Sequence, residues 1–344
     1  MGWISAKDTK RVDVAKNHAA TATLSVTGLS NYSFSPTIRL ATFIRTTTMH
    51  HSSRIAFSRH MHPYRIPCLG NIGIDVAVTP DGSAAHAAGT ALRCTLGAAL
   101  FGVGMTPVSA IGAEPIYEEP FTRLRRRGAD LSKLQQHSDS ITFTTTYDEA
   151  GAITDFQIDH EDMMNRAAEA CLRHDLDGAG IAVLCPLPFD MLHALAQRAK
   201  DTGVPSLLII HYAQFAQTAP PDFMSLIAQV DYLVLNADEA RRITQLDDVD
   251  AAGALLSRTC RRAVFLTMAE HGAAVFERGA RTARAPTFAT TVRNLLGAGD
   301  TFAGGVVAGL ALTDAPSVAL TYGMLAASLV VARPNHELLL AAMT

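Results

Sequence analysis

The chain has no excess of basic charge and no long apolar run. Its 344 residues carry 29 Lys and Arg against 32 Asp and Glu, a formal net charge of −3 at pH 7. Nucleic-acid-binding proteins need a strongly basic surface, so we expect no nucleic acid as a partner. No apolar stretch approaches the about 20 residues that cross a bilayer, so we expect no membrane partner either.

The chain also lacks internal repeats and metal-type cysteine or histidine spacing. Its five cysteines are scattered and odd in number, and no histidine pair at ligand spacing has a third partner. We therefore predict buried thiols in a reducing compartment and no metal site made from histidines. The cysteines concerned are Cys68, Cys94, Cys171, Cys185 and Cys260.

What the chain does have is a large supply of core residues. Hydrophobic residues make up 48% of the sequence, enough to bury a sizeable core. Beyond about residue 65, short apolar strand-like runs alternate with helical stretches. This alternation predicts an α/β fold with a mainly parallel sheet and helices on both faces.

Residues 1–64 do not share that pattern. They hold eight Lys and Arg against two acids, with many Ser and Thr. Such a leader is typical of an organellar transit peptide; alternatively it is a disordered extension, or translation begins at Met61, which leaves 284 residues. We expect a disordered extension or a start at Met61, and a cytoplasmic protein.

The segment Leu296–Gly305 is the most informative. Gly297, Ala298 and Gly299 expose backbone N–H groups where a small-residue helix, about 300–312, is predicted to begin. A helix N-terminus favours a phosphate, and Asp300 beside it fits a general base that takes a proton from a hydroxyl nucleophile. The alternative is a Gly-rich turn with an aspartate N-cap.

A second segment combines a strand with a helix start. Residues 231–235 predict a buried strand, and Asn236 and Glu239 follow at its carboxyl end. An amide and a carboxylate there could hold a hydrated Mg²⁺. The alternative is a capping box, with Asn236 as N-cap and Glu239 three residues later.

The order of these motifs resembles that of the ribokinase-like carbohydrate kinases, the PfkB family. Asn236-x-x-Glu239 precedes a strand that ends in Thr267, and Gly297-Ala298-Gly299-Asp300 follows. Upstream, Gly82–Ala88 with Leu96-Gly97 resembles the family's Gly-rich turn, which opens a helix predicted here at 84–96. Gly70–Asp75 resembles its opening strand with a sugar-contacting aspartate.

The resemblance implies a ribokinase-like three-layer sandwich over residues 65–344 and an ATP-dependent kinase. The acceptor would be a hydroxyl of a small sugar, polyol or nucleoside, with Asp300 as general base and the Gly297–Gly299 amides as anion hole. Asp75, Gly82 and His86 would bind the acceptor. Mg²⁺ would lie near Asn236 and Glu239, directly or through water, and the nucleotide would contact Asn236, Thr267, Gly272, Met324 and Ala327.

A small sheet closes over the sugar in this family. Residues 139–158 predict its hairpin, because two β-rich runs flank a turn at 148–151. Asp75 and Gly82 are so close in sequence that no other lid strands fit between them. We therefore expect a reduced lid, and a monomer or a dimer that forms through another surface.

Several positions depart from the family pattern. Asn294 and Leu295 replace an Asp-Thr pair, Ala269 replaces a glycine, His86 replaces an asparagine, and Asn335 lies in an altered late loop. The altered loops make a monovalent cation site doubtful, so we expect little dependence on K⁺. They also support the alternative of a catalytically weak relative that binds nucleotide or sugar as a regulatory protein.

Deletion of residues 1–60 is expected to leave folding and ligand binding intact, because this segment has neither periodic apolar faces nor a matched motif. The check is a comparison of melting temperatures for residues 61–344 and the full chain. A melting temperature several degrees lower after the deletion would show that the leader packs on the domain.

Overall fold

The structure is a computed structural model that describes residues 65–149, 152–211, 219–288, 292, 295–332 and 337–343. The leader predicted at 1–64 lies outside these residues. In the part of the chain that is described, no helix combines the length and the apolar character needed to cross a membrane.

A nine-stranded sheet forms the centre of the described residues. Its order is β13-β12-β11-β10-β9-β8-β1-β4-β5, parallel except that β12 and β13 are antiparallel to their neighbours. The strands are β1 Pro67–Leu69, β4 Thr106–Ile111, β5 Leu134–Gln136, β8 Ala182–Leu184, β9 Ser206–Ile209, β10 Tyr232–Asn236, β11 Ala263–Thr267, β12 Ala273–Glu277 and β13 Ala280–Ala285.

Helices cover both faces of this sheet. In chain order they are α1 Thr90–Ala99, α2 Glu118–Arg126, α3 Asp162–Arg173, α4 Phe189–Asp201, α5 Pro220–Ile227, α6 Ala237–Thr244, α7 Val249–Thr259, α8 Ala298–Thr313, α9 Pro316–Val331 and α10 Glu337–Ala342. One apolar cluster, with Leu92 and Phe302, joins α1, α8 and α9 to one face. A second cluster, with Phe223 and Leu256, joins α5 and α7 to the other face.

This architecture confirms the three-layer α/β prediction. Strand β11 has the bounds expected from the sequence, and β10 begins one residue later than expected. Burial on both faces explains the continuous apolar runs, since a parallel sheet between two helix layers has no solvent face. All five cysteines are buried and free, as predicted.

A separate four-stranded sheet, in the order β3-β2-β6-β7, is the lid expected from the sequence. The predicted hairpin is present as β6 Thr142–Tyr147 and β7 Ile153–Asp159. The expectation that the lid has little else is wrong. The segments Gly73–Thr79 (β2) and Gly82–Ala88 (β3) form a second hairpin, and β2 pairs in parallel with β6.

The predicted helix at 84–96 is therefore wrong over its first part. Alanine favours helix, yet Gly82–Ala88 pairs along its whole length with β2, which lies between β3 and β6. Strand preference depends on such pairing more than on the residue itself. The two-residue turn Pro80-Asp81 between the strands is the signal that the sequence reading passed over.

The expected monomer, or dimer through another surface, was argued from a lid of one hairpin. The lid has four strands, so its size gives no reason to expect a monomer, and the oligomeric state stays a prediction.

Hydrogen bonds around Ser140 attach the lid to the main sheet. Ser140 is buried and accepts bonds at Oγ from the Gly112 N–H at 2.7 Å and the Tyr117 hydroxyl at 2.6 Å. Its own N–H donates to Glu114 Oε1 at 2.8 Å. Two residues later β6 begins, so this network fixes the start of the lid strand.

Helices α1 and α8 approach each other through glycine. A Cβ on Gly304 would overlap the Cys94 carbonyl oxygen and lie 3.0 Å from the Ala98 nitrogen. A Cβ on Gly97 would overlap the Thr301 carbonyl oxygen. The backbones of the two helices are therefore in direct contact. A larger residue at either glycine would prevent this close approach.

Gly304→Ala is expected to push α1 and α8 apart. We expect the free energy of unfolding to fall by about 1–3 kcal/mol, the usual cost of extra methyl groups in a packed interior, measured by urea denaturation. Amide exchange in α1 should also become faster.

The matched control is Gly253→Ala in α7, where the added Cβ would lie 2.6 Å from the Phe276 ring. It should cost similar stability without affecting α1. Unchanged stability of Gly304→Ala would show that the two helices separate without cost.

Candidate active site

The N-terminus of α8 carries the Gly-Ala-Gly-Asp motif. Gly297 is the N-cap, in the left-handed conformation with φ 77°, and no side chain among the described residues caps this helix end. The helix begins at Ala298, so Asp300 lies in its first turn, and the alternative of an aspartate N-cap is wrong. The Ala298 N–H donates to the Leu295 carbonyl oxygen at 3.3 Å. The other N–H groups of an uncapped first turn need acceptors, which an anion can supply.

The space next to the motif fits an anion. A Cβ placed on Gly299 would meet no atom of the described residues beyond its own turn within 4 Å. Asp300 follows Gly299 directly in the chain, and only 12% of its side chain is exposed. The carboxylate of Asp300, a proton acceptor, and the backbone amides of Gly297–Gly299, which we call the anion cradle, therefore lie in one helix turn.

Asp75 and His86 face each other across the first lid hairpin. They are register partners on β2 and β3, and His86 Nε2 lies 4.0 Å from Asp75 Oδ2. Burial lowers the pKa of His86; Asp75 opposes this effect and Arg93 adds to it. A neutral imidazole offers one donor and one acceptor, a combination that suits hydroxyl groups.

Arg93 on α1 joins the lid aspartate to the helix aspartate. Its Nη2 donates to Asp75 Oδ2 in a short contact, and its Nη1 lies 3.6 Å from Asp300 Oδ2. Arg93 precedes Gly97 by one helical turn, and Asp300 precedes Gly304 by one turn. The glycine contact between α1 and α8 therefore brings these two side chains together.

The sequence reading missed Arg93 because it placed the Gly-rich turn at Gly82–Ala88. The glycine that opens the helix is Gly89, the N-cap of α1, with φ 95°. A Cβ there would lie 2.6 Å from the Asn71 carbonyl oxygen, so the position needs glycine. Gly89-Thr90 ahead of an apolar helix was the signal available in the sequence.

Gly82 lies at the turn end of the first lid hairpin, away from the Asp75–His86 pair. It pairs with Thr79 next to the hairpin turn, four residue pairs along the ladder from Asp75 and His86, and it is exposed. The segment is a lid strand rather than the predicted helix start, and the predicted contact of Gly82 with the acceptor stays a prediction.

Asn236 and Glu239 form the capping box that the sequence left open as an alternative. Asn236 Oδ1 accepts from the Glu239 N–H at 2.9 Å, and Glu239 Oε2 accepts from the Asn236 N–H at 2.8 Å. Glu239 is 4% exposed. Within the described residues no group of three or more His, Cys, Asp or Glu could hold a metal ion. A Mg²⁺ role for this pair stays a prediction, and it suits contact through water better than direct ligation.

Thr267 and Gly272 lie beside Asn236 at the carboxyl edge of the sheet. Thr267 is the register partner of Asn236, and Gly272, with φ 84°, directly precedes β12. Met324 and Ala327 lie one turn apart on α9; Met324 is buried in the core cluster and Ala327 packs against that cluster. The strand ends thus bring Asn236, Thr267 and Gly272 together.

Two positions of the predicted cation site, Asn294 and Asn335, lie outside the described residues. Leu295 is 72% exposed. Ala269, which stands where the resemblance implies glycine, has φ 48°. This left-handed conformation is unfavourable for alanine and natural for glycine.

Comparisons with known proteins agree with this geometry. A family profile described as "pfkB family carbohydrate kinase" matches residues 66–340. No curated protein matches the sequence significantly.

Solved structures show the same fold at low identity. A nucleoside kinase from Burkholderia thailandensis, solved with inosine, is 17% identical with a TM-score of 0.66, over 79% of this chain and 92% of that one. A ribokinase from Thermotoga maritima is 18% identical with a TM-score of 0.64, over 81% and 99%. An E. coli protein assigned as ribokinase II, solved with ATP and Mg²⁺, is 16% identical with a TM-score of 0.67, over 79% and 94%.

Acidification is expected to destabilise the protein partly through His86. Burial lowers the pKa of this side chain in the folded protein. Below about pH 6.5, the ordinary histidine value, the unfolded chain therefore binds a proton that the folded site excludes, and the free energy of unfolding falls.

Urea titrations at neutral and mildly acidic pH should show a smaller fall for His86→Gln than for the wild type. His174, whose pKa burial also lowers, should keep part of the dependence. The same fall in both proteins would mean that His86 binds a proton equally well in the folded and unfolded states.

Proposed function

Because this chain belongs to the pfkB family of carbohydrate kinases, we propose that it is an ATP-dependent kinase acting on a hydroxyl of a small sugar, polyol or nucleoside. One observation carries the proposal. Asp300 lies in the first turn of an uncapped helix, beside an open glycine cradle and opposite the lid residue Asp75.

Asp300 acts as the general base in this proposal. Its carboxylate takes the proton of the acceptor hydroxyl, while the amides of Gly297, Ala298 and Gly299 hold the transferring phosphoryl oxygens. MgATP, when bound, supplies the phosphoryl group and neutralises part of its charge. The open space at Gly299 and the uncapped helix end fit such a group.

Asp75 and His86 recognise the acceptor. A carboxylate accepts from hydroxyl groups, and a neutral imidazole both donates and accepts, so the pair fits a polyhydroxylated ligand. Both are on lid strands, so the lid that binds the acceptor also excludes water, which would otherwise accept the phosphoryl group. The inosine bound to the B. thailandensis nucleoside kinase supports including nucleosides among the candidates.

The nucleotide lies along the carboxyl edge of β10 and β11. The nucleotide contacts the strand-end residues Asn236, Thr267 and Gly272. It also contacts Met324 and Ala327, which are both on α9. Asn236 and Glu239 hold Mg²⁺ through water, because the capping bonds use the only side-chain oxygen of Asn236 and one carboxylate oxygen of the buried Glu239. The ATP and Mg²⁺ bound to the E. coli protein support these cofactors. With the altered residues Asn294, Leu295 and Asn335, catalysis depends little on K⁺.

A second candidate function has one observation in its favour. Arg93 occupies the space between Asp75 and Asp300, where an acceptor hydroxyl needs to reach the base. If Arg93 does not admit an acceptor, the protein binds nucleotide or sugar as a regulatory protein with weak catalysis. The strained Ala269 is in line with this alternative.

Asp300→Asn separates the two functions. An enzyme should lose turnover by a factor of about 100 or more, since positioned general bases contribute roughly 10²–10⁴-fold, and should keep its affinity for MgATP. The assay is ATP consumption with ribose, ketohexoses, inositols and nucleosides as acceptors.

Asp314→Asn is the matched control, because Asp314 lies at the other end of the same helix. Full turnover in Asp300→Asn would refute the base assignment. Ligand binding without acceptor-dependent turnover in the wild type would favour the regulatory protein.

A further inference from the structure

Arg93 lies at the centre of the candidate site with most of its hydrogen-bonding capacity unused. A guanidinium has five N–H donors. One bonds to the Asp75 carboxylate, and the contact with Asp300 at 3.6 Å is too long for a hydrogen bond. Among the described residues the buried Nε has no hydrogen-bond partner.

Such a group is costly unless a ligand completes it. Arg93 is only 6% exposed and its Nε is buried, so bulk water does not satisfy that donor. Arginine remains charged under all ordinary conditions, and its planar fork matches carboxylate and phosphate oxygens. The buried Nε and the charge of the guanidinium therefore favour an anionic ligand at this position.

The position of Arg93 indicates where that ligand lies. A Cβ placed on Gly297 would be 2.5 Å from Arg93 Nε and 3.0 Å from Cζ, so the guanidinium lies against the first residue of the anion cradle. The same group contacts the Asp300 carboxylate. Arg93 is therefore located between the proposed base and the proposed phosphoryl position.

Arg93 compensates the negative charges that meet at this position. A phosphoryl group at the cradle meets the negative charge of Asp300, and a second carboxylate, Asp75, is near. Arg93 lies between the two carboxylates and offsets their repulsion of an incoming anion. In phosphoryl transfer, an arginine that contacts the transferring group stabilises the charge of the transition state.

We propose that Arg93 binds the non-bridging oxygens of the transferring phosphoryl group, an inference that rests on the proposed kinase function. In the step it assists, the acceptor oxygen forms a bond to the γ-phosphorus and the bond from that phosphorus to the β–γ bridging oxygen breaks. The acceptor proton passes to Asp300, and the bond's electron pair leaves with ADP. Arg93 donates hydrogen bonds and transfers no proton.

A phosphate or carboxylate on the acceptor is another source of the same oxyanion chemistry. It is the less favoured source, because Arg93 contacts the cradle residue Gly297 as well as the lid residue Asp75. The two sources differ in a measurable way. An oxyanion of the transferring group interacts with Arg93 whichever acceptor is used, whereas an acceptor anion requires an anionic acceptor.

The test measures binding as well as turnover. Titration calorimetry compares MgADP with MgADP plus aluminium fluoride, which mimics the transferring phosphoryl group. The proteins are the wild type, Arg93→Gln, Arg93→Lys and the control Arg262→Gln. Arg262 lies at the amino end of β11, where it contacts Tyr232, Asp231 and Asp314.

We expect fluoride to tighten MgADP binding to the wild type and to Arg262→Gln by a factor of about 100, at the lower end of the gain for transition-state analogues. Arg93→Gln should lose most of this gain and keep its affinity for MgADP alone. Arg93→Lys should recover part of it, because the charge remains and the planar fork is lost. Turnover in Arg93→Gln should fall by a factor of about 100 or more with the KM for ATP unchanged.

The outcomes separate this inference from the proposed function. No MgADP binding by the wild type would overturn the kinase assignment itself. MgADP binding with the full fluoride gain in Arg93→Gln would overturn the inference and leave the kinase intact. A raised KM for anionic acceptors alone, with the fluoride gain kept, also overturns it and assigns the oxyanion to the acceptor. If Arg93→Gln melts well below the wild type, Arg93→Lys decides by the same criterion.

Discussion

The backbone contact between α1 and α8 is the constraint on which the candidate site depends. Gly97 and Gly304 let the two helices meet without intervening side chains. One turn before each glycine, Arg93 and Asp300 then face each other. If the helices were further apart, the sequence positions of Arg93 and Asp300 would be unchanged but their charges would no longer meet. The guanidinium reaches the carboxylate only because the two helix axes are so close. Site geometry here follows from backbone packing.

Electrostatic balance is the second theme of the site. The Arg93 guanidinium contacts the carboxylates of Asp75 and Asp300, and the His86 imidazole lies 4.0 Å from the Asp75 carboxylate. A base next to an anion cradle is unfavourable by itself, since both the base and the ligand are negative. The positive charge of Arg93 offsets this repulsion. His86 adds no further positive charge, because burial lowers its pKa and favours the neutral imidazole.

The lid shows how tertiary pairing overrides local preference. An alanine-rich segment, Gly82–Ala88, became a strand because β2 offered a complete ladder of partners on one side and paired with β6 on its other side. This outcome moved His86 from an expected helix to a strand opposite Asp75. It also placed Gly82 next to the hairpin turn, four residue pairs along the ladder from Asp75 and His86.

The sequence by itself determined the α/β class, the strands that end at Asn236 and Thr267, the lid hairpin after Ser140 and the Gly-Ala-Gly-Asp helix start. These are local features, carried by periodicity, β-branched runs and glycine positions that need little knowledge of distant residues. Only the tertiary structure decided that Gly89 opens α1, that Gly82–Ala88 joins the lid, and that Arg93 meets both Asp75 and Asp300. Asp75 and Asp300 are 225 positions apart in the chain, and the proximity of the three residues depends on a glycine contact between helices that no local pattern encodes.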